Sequence, residues 1–173
     1  MVNKKIKLSD VTTTVEKVQK HELLGDFTFI NGFPNEQKSE VLESVALRNH
    51  IKKVSPKSTI RFFVFTPLPG TELLEECLPL GYEKPNRIED WKSYEYHSFK
   101  APWLSEEYQK FVNTISWASL FADLDPKANE DKPLLQIIFK ILGEDAELRF
   151  KHNFFEIAPE FEIINRFYRK FSE

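Results

Sequence analysis

Phe27-Thr28-Phe29-Ile30-Asn31-Gly32-Phe33-Pro34-Asn35-Glu36 and, some thirty residues later, Ile60-Arg61-Phe62-Phe63-Val64-Phe65-Thr66-Pro67-Leu68-Pro69-Gly70 are the two stretches that decide the fold. Each opens on β-branched and aromatic residues and closes on a cluster of Gly, Pro or Asn, the composition of a strand that stops at a turn. The second run is apolar almost without a break, which predicts a strand covered on both faces in a parallel sheet. Between them, Val41, Leu42, Val45, Ile51 and Val54 recur at helical spacing from Glu36 to Val54, with Asn35 available as a cap and Pro56 beyond the end. Strand, helix and strand at this separation are the parts of a βαβ unit.

Outward from this unit, Val11, Val15 and Val18 predict an amphipathic helix from Ser9 to about Glu22, with Ser9, Asp10 and Thr13 as candidate caps and Thr13-x-x-Glu16 as a capping box. Glu72 to Leu80 reads as a short helix closed by Gly81. Residues 1–81 are therefore expected to form an α/β segment. Residues 82–104 mix prolines, charges and aromatics without clear periodicity and read as a connecting loop. Residues 105–173 read as a helical extension. There, Ser105 caps a helix to Ala122 with Glu106 and Glu107 in its first turn and Tyr108, Phe111, Val112, Ile115, Ala118, Ser119 and Ala122 on one face. Pro133 opens a second helix that Gly143 is expected to end. A last helix opens at Pro159 and buries Phe161, Ile164, Phe167, Tyr168 and Phe171.

Composition narrows the function. The 173 residues match one domain, large enough to bury a core without disulfides. A net charge of −3, a pI near 5.9 and a mean hydropathy of −0.42 carry no overall footprint for nucleic acid or an anionic membrane. No apolar stretch is long enough to span a bilayer and no secretory signal is evident, so the cytoplasm is the expected compartment. Sixteen phenylalanines imply a large aromatic core or an apolar surface awaiting a partner, and five glycines leave little room for phosphate loops. His21, His50, His97 and His152 lie far apart, so no metal site is expected. Cys77, the one cysteine, sits among acidic neighbours on a helix and reads as an inert thiol rather than a nucleophile. The carboxylate pairs Glu75-Glu76, Glu106-Glu107 and Glu160/Glu162 read as solvated helix faces. The aromatics Trp91, Trp103, Trp117 and Phe154-Phe155 read as packing residues.

The first junction, with Gly32 and Glu36, resembles the GxIxGxxE fifth-strand motif of radical S-adenosylmethionine (radical SAM) enzymes, in the form found beside a cobalamin-binding domain. The second, through Thr66-Pro67-Leu68-Pro69-Gly70-Thr71-Glu72-Leu73, looks like that group's sixth strand and turn. Ile88-Glu89-Asp90-Trp91, Pro102-Trp103-Leu104-Ser105 and Phe154-Phe155-Glu156-Ile157-Ala158-Pro159-Glu160 fit its downstream region. Thr28 and Asn35 depart from the pattern, standing where it has glycines. The resemblance covers nearly the whole chain, beginning at the helix before the fifth strand. It implies an α/β fold, the carboxyl-terminal part of a partial (β/α) TIM-like barrel with two parallel βα units, followed by a mostly helical extension. It also implies that Ile30, Asn31, Gly32, Phe65, Thr66 and Pro67 stand on the cofactor side of a pocket. In this family S-adenosylmethionine is cleaved reductively at a [4Fe-4S] cluster, in some members with cobalamin from a further domain. The three cluster thiolates come from a C-x-x-x-C-x-x-C loop that this sequence does not contain, so no catalytic residue is assigned and the chain is expected to be inactive alone.

The alternatives are a non-enzymatic interaction or regulatory module derived from the same fold, or a small α/β protein whose motif match is coincidental. Two strands cannot close a barrel, and an open edge beside an apolar face is costly. Relief is expected from the carboxyl-terminal helices, from a second copy, or from the amino-terminal half of the barrel. Self-association is the favoured outcome, because the helical extension has its own aromatic face to bury.

Overall fold

A computed structural model describes residues 6–87, 89–90, 99–125 and 132–164. Helix α1 (Leu8–Lys20) leads into strand β1 (Asp26–Asn31), helix α2 (Lys38–Val54), strand β2 (Thr59–Val64) and short helix α3 (Glu72–Cys77), which runs into a 3-10 turn at Leu78–Leu80. Helices α4 (Glu106–Ala122) and α5 (Pro133–His152) follow, and residues 159–164 are helical. The protein is thus α/β, with one right-sized helix between two parallel strands paired from Asp26↔Thr59 to Asn31↔Val64. The positions Phe167, Tyr168 and Phe171, expected in the last helix, and Trp91 lie outside the described residues.

The sheet has one covered face. Ile60, Phe62 and Val64 are buried together with the half-buried Phe27 and Phe29, and the Phe29 and Phe62 rings stack at 4.8 Å. Val15 of α1, Val41, Val45 and Ile51 of α2, Ile115 of α4 and Phe150 of α5 complete one continuous core. Residues from both sides of the connecting loop therefore share the same interior. The alternate residues Thr59, Arg61 and Phe63 of β2 are only half-buried, and Thr28 and Ile30 of β1 are exposed. This corrects the expectation of a β2 covered on both faces: Phe63 made the run look continuous, but the polar Thr59 and Arg61 share its side.

The edges of the sheet differ as well. In a parallel pair, alternate residues of each strand point their backbone groups away from the partner. In β2 these are Ile60, Phe62 and Val64, and α4 meets two of them with side chains. Ser116 Oγ donates to the Phe62 carbonyl at 2.8 Å, Ser119 Oγ accepts from the Phe62 N–H at 2.9 Å, and Asp123 Oδ2 accepts from the Ile60 N–H at 2.6 Å. The match is metric. Four helical residues, 119 to 123, advance about 6 Å, and two strand residues, 62 to 60, about 6.6 Å. The helix runs antiparallel to the strand and bonds it at the positions a neighbouring strand would use. Asp123 also pairs with Lys52, whose Nζ donates to the Ser58 carbonyl at 2.8 Å, so α2 is drawn into the same junction. Among the described residues no strand joins the outer edge of β1.

Several local expectations are corrected. Helix α1 takes Lys7 as its N-cap without a side-chain bond, which leaves Ser9, Asp10 and Thr13 inside the helix. Asn35 does not cap α2: it takes a left-handed conformation in the turn (φ 65°), and Gln37 with Glu40 forms the capping box. Gly143 does not end α5, which continues to a left-handed Asn153. A Cβ on Gly143 would lie 3.2 Å from the Phe121 carbonyl, so the glycine serves close approach of α5 to α4. Beyond α5 the chain is held back by Arg149, which bonds Asp145, the Ile157 carbonyl and Glu160.

Because the Phe62 N–H is buried, Ser119→Ala should cost about 1–3 kcal/mol, the usual penalty for an orphaned buried donor. Asp123→Ala should cost more, since it orphans the Ile60 N–H and uncouples Lys52. Urea denaturation measures both, and faster amide exchange confined to Ile60 and Phe62 would locate the damage at this edge.

Candidate functional site

The carboxyl ends of both strands open onto the uncovered face, and there the structure forms a groove of about 530 Å³. Ile30 comes from β1, Phe63 from β2, Phe65 and Thr66 from the segment after β2, and Leu68 and Leu73 from the turn and first residues leading through α3. Ile30 and Leu68 stand 41 % and 54 % exposed at its mouth. Its hydroxyls are committed: Thr66 Oγ1 donates to the Val64 carbonyl at 3.3 Å, and Thr71 Oγ1 donates to the Leu68 carbonyl at 2.7 Å while accepting from Leu74 N–H to cap α3. No lining residue is ionisable. Such a wall can hold a flat or aliphatic group by dispersion and exclusion of water.

The six residues expected on the cofactor side separate. Ile30, Phe65 and Thr66 meet in the groove wall. Asn31 turns to the opposite, covered face beside Val64, where it is 2 % exposed and its Nδ2 has no hydrogen-bond partner among the described residues. Gly32 lies in the turn behind the wall, and Pro67 is buried and outside the lining. Phe63, Leu68 and Leu73 were not singled out from the sequence. The alternation of Thr59, Arg61 and Phe63 against Ile60, Phe62 and Val64 is the signal that would have found Phe63.

Behind the groove the two turns are pinned. Gly32 has φ +88°, and a Cβ there would come within 3.3 Å of Val64 Cγ1 and 3.4 Å of Leu104 Cδ1, so both conformation and space call for glycine. Its N–H donates to Glu36 Oε2 at 2.5 Å and its carbonyl accepts from Trp103 Nε1 at 2.9 Å. Phe33 stacks on Phe65 at 4.4 Å, and Phe65, Leu74, Cys77, Tyr82, Phe99 and Ala101 form a second, smaller core under the turns. Burial pushes the Cys77 thiol up, with Glu76 adding to the effect, in keeping with an inert cysteine. Among the described residues no group of three or more His, Cys, Asp or Glu side chains could hold a metal ion. No described helix is long and apolar enough to cross a membrane.

Glu36 is the carboxyl that holds the Gly32 turn. Burial raises its carboxyl above the ordinary 4.5, against the hydrogen bonds from Gly32 N–H and Tyr108 that favour the charged form. Burial, and then the Glu36 charge, likewise push Tyr108 up. A carboxyl raised in the folded state contributes stability below its unfolded pKa, and the contribution fades as pH rises through the folded value. The stability of the wild type relative to Glu36→Gln should therefore be greatest near about pH 4 and fall toward about pH 7 in urea titrations. A difference that grows with pH would reverse the assigned sign.

No protein-family model, no curated protein and no solved structure matches the chain.

Proposed function

We propose that this chain supplies the carboxyl-terminal wall of a radical SAM protein's site, with the groove at Ile30, Phe63, Phe65 and Thr66 taking an apolar or aromatic part of S-adenosylmethionine or of the substrate. The observation that carries the reading is the position of that groove. It lies at the carboxyl ends of parallel strands, on the face that the described helices leave half-open, where (β/α) barrels gather their chemistry. The asymmetric edges support it too. With β2 sealed by α4, a preceding strand can join only at β1, so β2 would be the last strand of a partial barrel and the open face its lumen.

The chain does not fit the cluster. Its one cysteine, Cys77, is buried in the second core, and three thiolates are needed. The residues present suit binding and exclusion of water; the cluster, any cobalamin and the redox step belong to other polypeptide. The reading thus assigns this chain a positioning role, with the amino-terminal half of the barrel as its partner. A second reading, a non-enzymatic interaction module, draws on the larger core, which both halves of the chain share.

Titration of the isotope-labelled chain with S-adenosylmethionine tests the proposal by NMR. Amides of residues 30, 63, 65 and 66 should shift saturably with a Kd of about 0.1–1 mM, or about −5 kcal/mol, because only part of the pocket is present. Ile30→Asp should abolish the shifts without unfolding the chain, as Ile30 is exposed. Unperturbed groove amides at several millimolar ligand, or tighter binding that survives Ile30→Asp, would overturn it.

A further inference from the structure

The parallel register lays out the half-open face of the sheet in rungs. Ile30 stands beside Phe63 at the groove, Thr28 beside Arg61 one rung below, and Asp26 beside Thr59 below that. Successive rungs on one face are two residues, or about 6.6 Å, apart. The groove takes in the first rung and leaves the second without a use. There Thr28 is exposed and Arg61 half-buried. Thr28 stands where the radical SAM motif has a glycine, so its hydroxyl is an addition to this face.

Arg61 differs from the other described arginines. Arg48 pairs with Glu147, Arg87 with Glu89, and Arg149 with Asp145 and Glu160. The Arg61 guanidinium is in no ion pair among the described residues, and its one hydrogen bond there runs from Nη1 to the Leu120 carbonyl at 3.3 Å. That carbonyl lies in the last turn of α4, where the helix dipole favours a cation. A guanidinium has two edges that each match a pair of oxygens, and a bond at Nη1 leaves the edge made of Nε and Nη2 whole. The Thr28 hydroxyl, in the same rung on the neighbouring strand, makes no hydrogen bond among the described residues.

We propose that Arg61 and Thr28 bind the carboxylate of a ligand whose apolar part lies in the groove, so that the substrate class is an acid with an aromatic or aliphatic body a few bonds from its carboxylate. This rests on the groove being a ligand wall, as proposed above. The Nε–H and Nη2–H of Arg61 donate to the two carboxylate oxygens in one plane, and the Thr28 hydroxyl donates to one of them. One cation matches one negative charge. Asp26, exposed a rung deeper on the same face, disfavours a phosphate dianion by repulsion.

NMR titration of the isotope-labelled full chain with 3-phenylpropionate and with its neutral counterpart 3-phenyl-1-propanol tests this at about pH 6, where the acid is ionised. Both should shift the amides of residues 30 and 63, whereas only the acid should shift those of 28 and 61 and the Arg61 Nε–H. The acid should bind at least about fivefold tighter than the alcohol. That advantage should vanish in Arg61→Gln and survive only in part in Arg61→Lys, whose ammonium lacks the fork. Thr28→Val should cut it about twofold or more; the change is made at an exposed strand position and keeps the Arg61–Leu120 bond, so it reads the subsite without disturbing α4. Equal affinities with an unmoved Arg61 Nε–H overturn the proposal and leave Arg61 as a cap of α4. Inorganic phosphate that shifts residues 28 and 61 more strongly than acetate does overturns the carboxylate assignment. If neither phenyl probe moves residues 30 and 63, the groove reading above fails and this proposal with it, an outcome distinct from shifts at the groove alone, which sink only the subsite.

Discussion

A helix that presents Ser116, Ser119 and Asp123 to the backbone of β2 does for this sheet what a third strand would do. Two strands make a sheet too small to satisfy its own edges, and an unpaired buried N–H costs as much as a core methyl group or more. Pairing β2 with α4 resolves this at one edge and fixes the side of the sheet edge on which α4 lies. Once α4 is docked, Phe111 and Ile115 must enter the core and α5 must close over Phe62 with Phe150, whose rings are 5.9 Å apart.

The arrangement leaves the sheet polarised in two directions. One edge is sealed and the other lacks a strand among the described residues; one face is packed and the other bears Thr28, Ile30, Arg61 and Phe63. The groove lies where these asymmetries coincide, at the strand ends on the open face. Its rigidity comes from behind, from Trp103 and Glu36 holding the Gly32 turn and from the Phe33–Phe65 stack. A wall made in this way is shaped in advance, which lowers the entropic cost of holding a ligand. Its described lining residues are apolar apart from the hydroxyls of Thr66 and Thr71.

The excess of phenylalanine has a structural use. Phe29, Phe62, Phe111, Phe121, Phe150, Phe155 and Phe161 form a connected set of ring contacts and core packing that joins the sheet to α4, α5 and the segment after them. Arg48 closes this core from outside. It lies 4.1 Å from the Phe150 ring centre and forms a two-point pair with Glu147, so its buried charge is compensated. Large flat side chains fill a thin α/β layer with few residues, which is how the two strands among the described residues still border a substantial interior.

Order and type of elements were legible in the residues, because turn chemistry and hydrophobic period act over a few positions. The strands at Phe27–Ile30 and Ile60–Val64, the helix between them, the Ser105 cap of α4 and the left-handed Gly81 all follow from near neighbours. Three features could not be read in that way. Gly143 carries the signature of a helix end and instead lets α5 approach the Phe121 carbonyl, a contact that exists only after two helices meet. Asn31 and Ile30 are adjacent in the motif, yet the pleat sends them to opposite faces, so only Ile30 reaches the groove. Ser116 and Ser119 look like ordinary polar positions on a helix, and their bonding partner Phe62 lies more than fifty residues away. Local physics chooses the elements, whereas the sealed edge, and with it which face stays open, arises from hydrogen bonds between segments that nothing in the intervening chain specifies.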